Sequence, residues 1–537
     1  MELHGLNIIA GKPSDPPANQ AMATCITFAG VDPTTGKRID PLYYEATADE
    51  IDQALQAAQQ AFEIYRHKSP EEIATLLEAM ADSIVALGDE LIQRARQETA
   101  LPEARITGER GRTVGQLKMF AQLVREGSWV DARIDRAQPD RKPLPRPDVR
   151  RMLLPIGPVV VFSASNFPLA FSAAGGDTAS ALAAGNPVIV KAHPSHPGTS
   201  ELVMRAVQTA IEKCGMPAGL ISLVHGTSTA VGEKLVKHPL TRAVGFTGSL
   251  QGGRALYNLA AARPDPIPVY AEMGSTNPVF VLPGALAARG EEIAAGLTQS
   301  VTMGVGQFCT NPGLVFGLKG PKLDNFVQKT VSLMSQVPVG NMLNAGICHR
   351  YRKGVEQLKK LPGVKVSGEV VVPEGALKTQ AGGLVFTTDA AGFKSNPALR
   401  EELFGPATVI VGCDSVAEAE QLARGLDGQL TATIHGTDAD LEQYRTLVDI
   451  LTQKAGRVIY NGFPTGVEVC PAMQHGGPYP ATTDARTTSV GTGAILRFAR
   501  PVAYQSFPEA LLPEALRNKN TRNRWRLIDG EWTRADV

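Results

Sequence analysis

Short apolar runs separated by helix-length segments constrain this chain more than any other feature. Val159-Val160-Val161-Phe162, Pro187-Val188-Ile189-Val190, Ile221-Ser222-Leu223-Val224 and Ala243-Val244-Gly245-Phe246 each have strand length and almost no polar residue. Between them, residues 171–184, 198–213 and 229–237 have the length and composition of helices. Strands apolar on both faces and alternating with helices predict a parallel, doubly wound α/β sheet. A second strand–helix series begins near Pro268 and runs past Phe463. No repeat of solenoid period is visible.

The region before these strands reads as helical. Thr47 with Glu50 forms a capping-box pattern, followed by Ile51, Leu55, Ala58 and Phe62 at helical spacing. Ser69-Pro70 opens a helix over residues 71–87, and further helices are expected over 89–99 and 103–126. Residues 138–151 hold four prolines and four arginines, which predicts a solvated linker or extended arm. At 537 residues the chain is long enough for several domains. The expected division is a dinucleotide-binding domain over 1–129 and 155–271 and a catalytic domain over 272–484. An oligomerisation arm and C-terminal extension would take 130–154 and 485–537.

Charge and composition exclude several classes of function. Fifty-three basic residues balance fifty-three acidic ones, so no nucleic-acid partner is expected. Residues 1–20 lack a signal-peptide pattern, and no apolar stretch reaches membrane-spanning length, so the chain reads as soluble and cytoplasmic with no membrane partner. Six cysteines, Cys25, Cys214, Cys309, Cys348, Cys413 and Cys470, form no CxxC pair. Neither a disulfide framework nor a metal site is expected from them.

Four short segments carry chemistry. In Gly304-Val305-Gly306-Gln307-Phe308-Cys309-Thr310, glycines let backbone amides approach a substrate beside a thiol. In Pro268-Val269-Tyr270-Ala271-Glu272-Met273-Gly274-Ser275, one carboxylate ends a strand-like run, where burial would tune it as a base. Ser163-Ala164-Ser165-Asn166-Phe167-Pro168 follows a strand and offers an amide donor for an oxyanion. Gly245-Phe246-Thr247-Gly248-Ser249 leads from a strand towards a helix N-terminus that can meet a phosphate, though without GxGxxG spacing. Each alone has a structural alternative: a buried cysteine, a strand-end glutamate reaching solvent, an Asx-turn before proline.

Together and in order, these segments resemble the aldehyde dehydrogenase superfamily over about residues 25–505. Lys191, Glu402 in Glu-Glu-Leu-Phe-Gly-Pro and Asn461-Gly462-Phe463-Pro464-Thr465-Gly466-Val467 extend the match. The resemblance implies a doubly wound dinucleotide-binding domain, an α/β catalytic domain and a small β-arm that makes a homodimer or homotetramer. It implies Cys309 as nucleophile, Asn166 with the Cys309 amide as oxyanion hole, and Glu272 as the base that hydrolyses a thioester. The site is then expected to favour the Cys309 thiolate. Lys191 would bind the adenosine ribose, and Phe246, Gly248 and Ser249 the pyrophosphate turn. Glu402 would hold the nicotinamide ribose, with Phe404 beside the ring. The arm should pair residues 130–154 with a partner near 488–505, and the alternation in Ala494-Ile495-Leu496-Arg497-Phe498 predicts a strand there.

Departures from the family pattern suggest specificity. Pro194 stands where NAD-preferring members often carry a glutamate, so NADP is expected to bind at least as well as NAD. His193 and His196 lie nearby and read as solvated loop histidines. Ser172, Ala173, Ala174 and Gly175 replace bulkier residues, which implies a wider or more polar tunnel. Ser172, Arg112, Gln116 and His475 are the tunnel candidates. The segment 475–483 resembles the branch containing 2,5-dioxovalerate (α-ketoglutarate semialdehyde) dehydrogenases and an NADP-dependent fatty-aldehyde enzyme. The expected reaction is therefore oxidation of 2,5-dioxovalerate to 2-oxoglutarate, with a medium or long aliphatic aldehyde as the alternative substrate. Glu272 argues against a CoA-acylating relative, and the presence of Cys309, Asn166 and Glu272 against a non-catalytic binding protein.

Overall fold

The computed structural model describes residues 2–15 and 26–537; Cys25 lies outside them. Two large sheets dominate. The first runs, in spatial order, Val269–Glu272, Ala243–Thr247, Val159–Phe162, Val188–Lys191 and Ile221–Val224, all parallel. Its far edge is covered by an antiparallel N-terminal ribbon, Ile8–Ile9 and Lys12–Pro13, which sequence patterning did not anticipate. The second sheet runs Lys365–Glu369, Leu384–Asp389, Ala407–Cys413, Leu314–Leu318, Val279–Val281, Gln429–His435 and Ala455–Tyr460. Only its first strand is antiparallel to its neighbour. Val159, Val160, Val188, Ile189, Ile221 and Leu223 are all essentially inaccessible, as strands covered on both faces require.

The early helices form where their signals lie. Thr47 and Ser69 both make reciprocal capping boxes, with Glu50 and Glu72, opening helices Ala48–Tyr65 and Pro70–Ala86. Helices Gly88–Thr99 and Glu103–Glu126 follow, the latter stopped by Gly127 in a left-handed conformation. Among the described residues, no helix is long and apolar enough to cross a membrane.

A third sheet forms the arm. Val149–Pro155 pairs antiparallel with Ala499–Gln505 over its whole length and on its other side with Arg133–Asp135. The extreme C-terminus completes it through Arg526–Ile528 and Glu531–Thr533. The strand begins later than the alternation at residues 494–498 suggested, because Thr492–Phe498 is a 3₁₀ helix. Ala494, Ile495, Arg497 and Phe498 are buried and Leu496 is exposed, a period of three rather than two. The Arg497 guanidinium donates to Asp177 Oδ1 at 2.7 Å, and that buried pair fixes the turn.

The helix expected over residues 171–184 is also shorter, Gly176–Ala183. Glu109 explains this. Its Oε1 accepts from the Leu169 and Ala170 amides, both at 2.9 Å, while Oε2 pairs with Arg105 at 2.6 Å. A carboxylate that takes up amides in this way holds the chain in irregular turns. A Cβ on Gly175 would lie 2.5 Å from the Ala170 oxygen, so only glycine fits where the helix begins. Glu109→Ala would leave two buried amides unpaired and remove the partner of the part-exposed Arg105, so it should destabilise the fold by about 1–3 kcal/mol. Thermal and denaturant melts check this; an unchanged melting midpoint would contradict the role given to Glu109.

Candidate active site

The first sheet presents its candidate side chains at one edge. Phe162, Lys191, Phe246 and Glu272 sit at or near the C-terminal ends of adjacent parallel strands, in register Phe162 with Lys191, Phe246 with Phe162 and Thr247 with Glu272. Such ends open into a common crevice. Asn166 lies in the segment leaving Val159–Phe162, and Ser249 caps the helix Leu250–Ala261 with its Oγ accepting from the Gly252 amide.

The second sheet supplies Cys309, in the loop between helix Pro283–Thr302 and strand Leu314–Leu318. Gly304, Val305 and Gly306 all have positive φ, and for the β-branched Val305 this stores strain beside the thiol. A Cβ on Gly306 would come 2.1 Å from the Gly405 carbonyl carbon, so this glycine lets the cysteine loop lie directly on the loop that carries Glu402 and Phe404. Asn277 fastens the other side, donating from Nδ2 to the Cys309 and Asn311 carbonyls, both at 2.9 Å. Asn166 donates from Nδ2 to the Gln307 carbonyl at 3.1 Å, which brings the predicted oxyanion donor to the cysteine loop.

Glu272, Cys309 and His475 meet here. His475 Nε2 is 3.5 Å from Cys309 Sγ and 3.1 Å from Glu272 Oε1. Ser489 donates a short hydrogen bond to Glu272 Oε2. Glu272 is 3% and His475 1% exposed. Burial alone would raise the Glu272 carboxyl, but His475, the Ser489 hydroxyl and the Cys309 thiol together hold it below its ordinary range. Cys309 moves the opposite way to expectation. Burial and the adjacent Glu272 carboxylate push its thiol well above the usual value, against the pull of Arg112. The protein's own groups therefore favour the thiol, not the thiolate. Ser489 was missed in the sequence, since a lone serine far from any motif gives no signal. Asn277 had one: it sits three residues beyond the Glu-Met-Gly turn.

The cofactor candidates line the same crevice. Lys191 Nζ donates to the Gly226 carbonyl at 2.6 Å, and burial pulls its ammonium down to about 8 against the favourable charge of Glu45. Gly248 donates its amide to the Glu272 carbonyl at 3.0 Å, and a Cβ there would strike the Phe246 ring at 2.6 Å. Gly248, Ser249 and Leu250 are exposed, so this helix N-terminus is open to an anion. Glu402 lies against Gly274, where a Cβ would come 2.7 Å from its Oε2. Pro194 supplies no carboxylate, but Glu45 does. It accepts from the Thr227 and Ser228 amides at 2.8 and 2.9 Å, on the turn that Lys191 also touches.

The nearby histidines are not solvated loop residues. His196 is fully buried, with Nε2 2.9 Å from the Ala164 carbonyl oxygen, and His193 stacks on it.

The tunnel candidates have different surroundings. Ser172 is buried with its Oγ 3.4 Å from that of Ser200, and Gln116 is buried with Nε2 3.5 Å from the Ala170 carbonyl. Ala173 and Ala174 belong to the main core, so the small-residue run does not widen the site. Instead Phe167, Phe171 and Phe308 form an aromatic cluster with Val490. The Arg112 guanidinium lies over Phe167 and Phe171 at 5.5 and 5.2 Å. Its Nε and Nη2 are buried without a hydrogen-bond partner, and it lies within the electrostatic reach of Cys309 and Glu272. Arg457 is also within the electrostatic reach of Cys309; its Nη2 donates to the Pro464 carbonyl at 2.8 Å, while its Nε is buried without a partner.

Comparison with known proteins agrees with this geometry. The model of the aldehyde dehydrogenase family matches residues 22–483. The chain is 54% identical to alpha-ketoglutaric semialdehyde dehydrogenase 2 of Azospirillum brasilense, over 94% of this chain and 96% of that protein. It is 48% identical to alpha-ketoglutaric semialdehyde dehydrogenase of Acinetobacter baylyi, over 95% of this chain and 97% of that protein. Among solved structures, aldehyde dehydrogenase C from Pseudomonas syringae superposes with a TM-score of 0.78 at 21% identity, covering 94% of this chain and 98% of that one. An alignment over nearly the whole length of both semialdehyde dehydrogenases, together with the shared fold, leaves one conclusion: this chain belongs to the aldehyde dehydrogenase family.

Proposed function

We propose that the protein oxidises 2,5-dioxovalerate at its aldehyde carbon, giving 2-oxoglutarate, through a thioester on Cys309. The observation that carries the substrate reading is Arg112. A guanidinium with two buried, unpartnered nitrogens within the electrostatic reach of Cys309 is a poor way to line a tunnel for alkyl chains. It suits a substrate carboxylate, which it can meet through charge-assisted hydrogen bonds. The names of the two similar semialdehyde dehydrogenases support the same substrate.

The residues divide the work as follows. Cys309 Sγ adds to the aldehyde carbon, and its proton passes to the His475–Glu272 pair that lies against it. Asn166 and the Cys309 amide stabilise the resulting oxyanion. A bound nicotinamide supplies the acceptor for the hydride that leaves the thiohemiacetal carbon. Once the pair has released that proton to solvent, Glu272, anchored by Ser489, takes a proton from the water that cleaves the thioester. Lys191, the turn at Phe246, Gly248 and Ser249, and Glu402 with Phe404 would hold the cofactor along the crevice. Residues 1–129 and 155–271 would form its binding domain and 272–484 the catalytic domain. The arm would join subunits into a homodimer or homotetramer, and the enzyme would act in the cytoplasm.

Substitution of Arg112 tests the substrate reading. Arg112→Met should lower kcat/KM for 2,5-dioxovalerate about 10²-fold, since hydrogen bonds to charged groups contribute roughly 1.5–3 kcal/mol. Pentanal, which lacks the carboxylate, should change only a few-fold. Equal losses on both aldehydes, or a wild-type enzyme whose kcat/KM climbs steadily with alkyl chain length, would point to an aliphatic substrate instead.

Cofactor choice tests the ribose end. Pro194 supplies no carboxylate to repel a 2′-phosphate, whereas Glu45 places negative charge within the electrostatic reach of Lys191. Pro194→Glu should shift the ratio of kcat/KM towards NAD, and Glu45→Gln should shift it towards NADP. Unchanged ratios in both variants would remove these positions from cofactor discrimination.

A further inference from the structure

Glu272, His475 and Cys309 form the one group of three metal-ligating side chains found among the described residues, with ligand atoms all within 4.8 Å of one another. We propose that this cluster is also a zinc site, and that zinc binding there reversibly closes the enzyme. The inference is independent of which aldehyde is oxidised.

Donor type and geometry both point to zinc. A thiolate, an imidazole and a carboxylate suit a borderline-soft divalent cation and make a poor magnesium or calcium site. With zinc–ligand distances of about 2.3 Å to sulfur and about 2.0–2.1 Å to nitrogen and oxygen, tetrahedral edges are about 3.6 Å for sulfur–nitrogen and about 3.4 Å for nitrogen–oxygen. The corresponding separations are 3.5 Å between Cys309 Sγ and His475 Nε2 and 3.1 Å between His475 Nε2 and Glu272 Oε1. Those two edges therefore need little movement to close on the ion, and the third, from Cys309 Sγ to the Glu272 carboxylate, is within 4.8 Å.

The polar inventory supplies a second observation. Glu272 Oε1 is buried without an aligned hydrogen bond, although the residue is 3% exposed. The other carboxylate oxygen is held by Ser489, so Oε1 is directed at the cluster rather than free to turn away. The imidazole is anchored from behind by its backbone, whose amide donates to Thr488 Oγ1 at 2.9 Å and whose carbonyl accepts from the Ser489 amide at 2.8 Å. Three preset ligands leave a fourth position for water. Coordination replaces the Cys309 thiol proton, which leaves to solvent, and the imidazole binds through Nε2 as its Nδ1–H tautomer, so a proton shared between Nε2 and Glu272 moves to Nδ1 or also leaves to solvent. With its sulfur on zinc, Cys309 cannot add to an aldehyde, and a chelator restores it.

The test uses the full-length protein titrated with zinc chloride in competition with a chromophoric chelator. We expect one zinc per chain, loss of dehydrogenase activity in step with occupancy, and recovery with EDTA. His475→Gln should weaken zinc affinity by more than about 10-fold, as loss of even an outer-sphere partner commonly does. Alkylation of Cys309 should abolish binding. Cobalt(II) provides a measurement on the unmutated protein: a thiolate-to-cobalt charge-transfer band with the visible bands of a tetrahedral site. Unchanged affinity after alkylation or in a folded His475→Gln protein would overturn the proposal. So would absence of the cobalt–thiolate band, whatever the fate of the variant.

Discussion

A carboxylate buried at the end of a parallel strand has to be compensated, and the arrangement around Glu272 follows from that requirement. Ser489 takes one oxygen, and His475 stands against the other. Both come from a segment two hundred residues later in the chain. That segment must fold back over strand Val269–Glu272, and it does so through backbone bonds from Met273 to Ala481 and from Thr483 to Ala271. The compensation of one charge thus ties the end of the catalytic half to the edge of the first sheet. It also brings His475 to Cys309, because a ring that touches Glu272 there reaches the sulfur as well.

The same economy governs the other side of the crevice. Glu109 holds Leu169 and Ala170 by their amides, so the chain beyond Asn166 stays in turns instead of entering a helix. Gly306 lets the cysteine loop touch the Gly405 backbone, joining Cys309 to the loop of Glu402. Asn277 pins the Cys309 carbonyl from below. The reacting groups are therefore positioned by buried polar contacts across long sequence separations, which is the condition for a preorganised site.

This division explains what was legible in the sequence. Strands such as Ile221–Val224 and helices such as Thr229–Lys237 lie where local pattern placed them, since burial on both faces and helix periodicity are local properties. Cys309, Glu272 and Asn166 were recognisable because glycines and strand ends surround them in short motifs. The 3₁₀ turn at 492–498 was not, because it depends on Asp177, which lies more than three hundred residues away. Nor was the upward push on the Cys309 thiol, which arises from burial and from Glu272 together. The small residues 172–175 read as a widened tunnel, whereas packing places Ala173 and Ala174 in the core and gives the site an aromatic wall with Arg112 against it.

The central claim is that acyl transfer passes through Cys309 and is completed by Glu272 as base. Rapid mixing of Glu272→Gln enzyme with aldehyde and cofactor, followed by acid quench and mass spectrometry of the Cys309 peptide, tests it directly. The account predicts a burst of reduced nicotinamide close to one per active site, an acyl adduct on Cys309, and hydrolysis slowed by roughly 10²–10⁴-fold. Deacylation at the parent rate, or a burst without any adduct on Cys309, would contradict it.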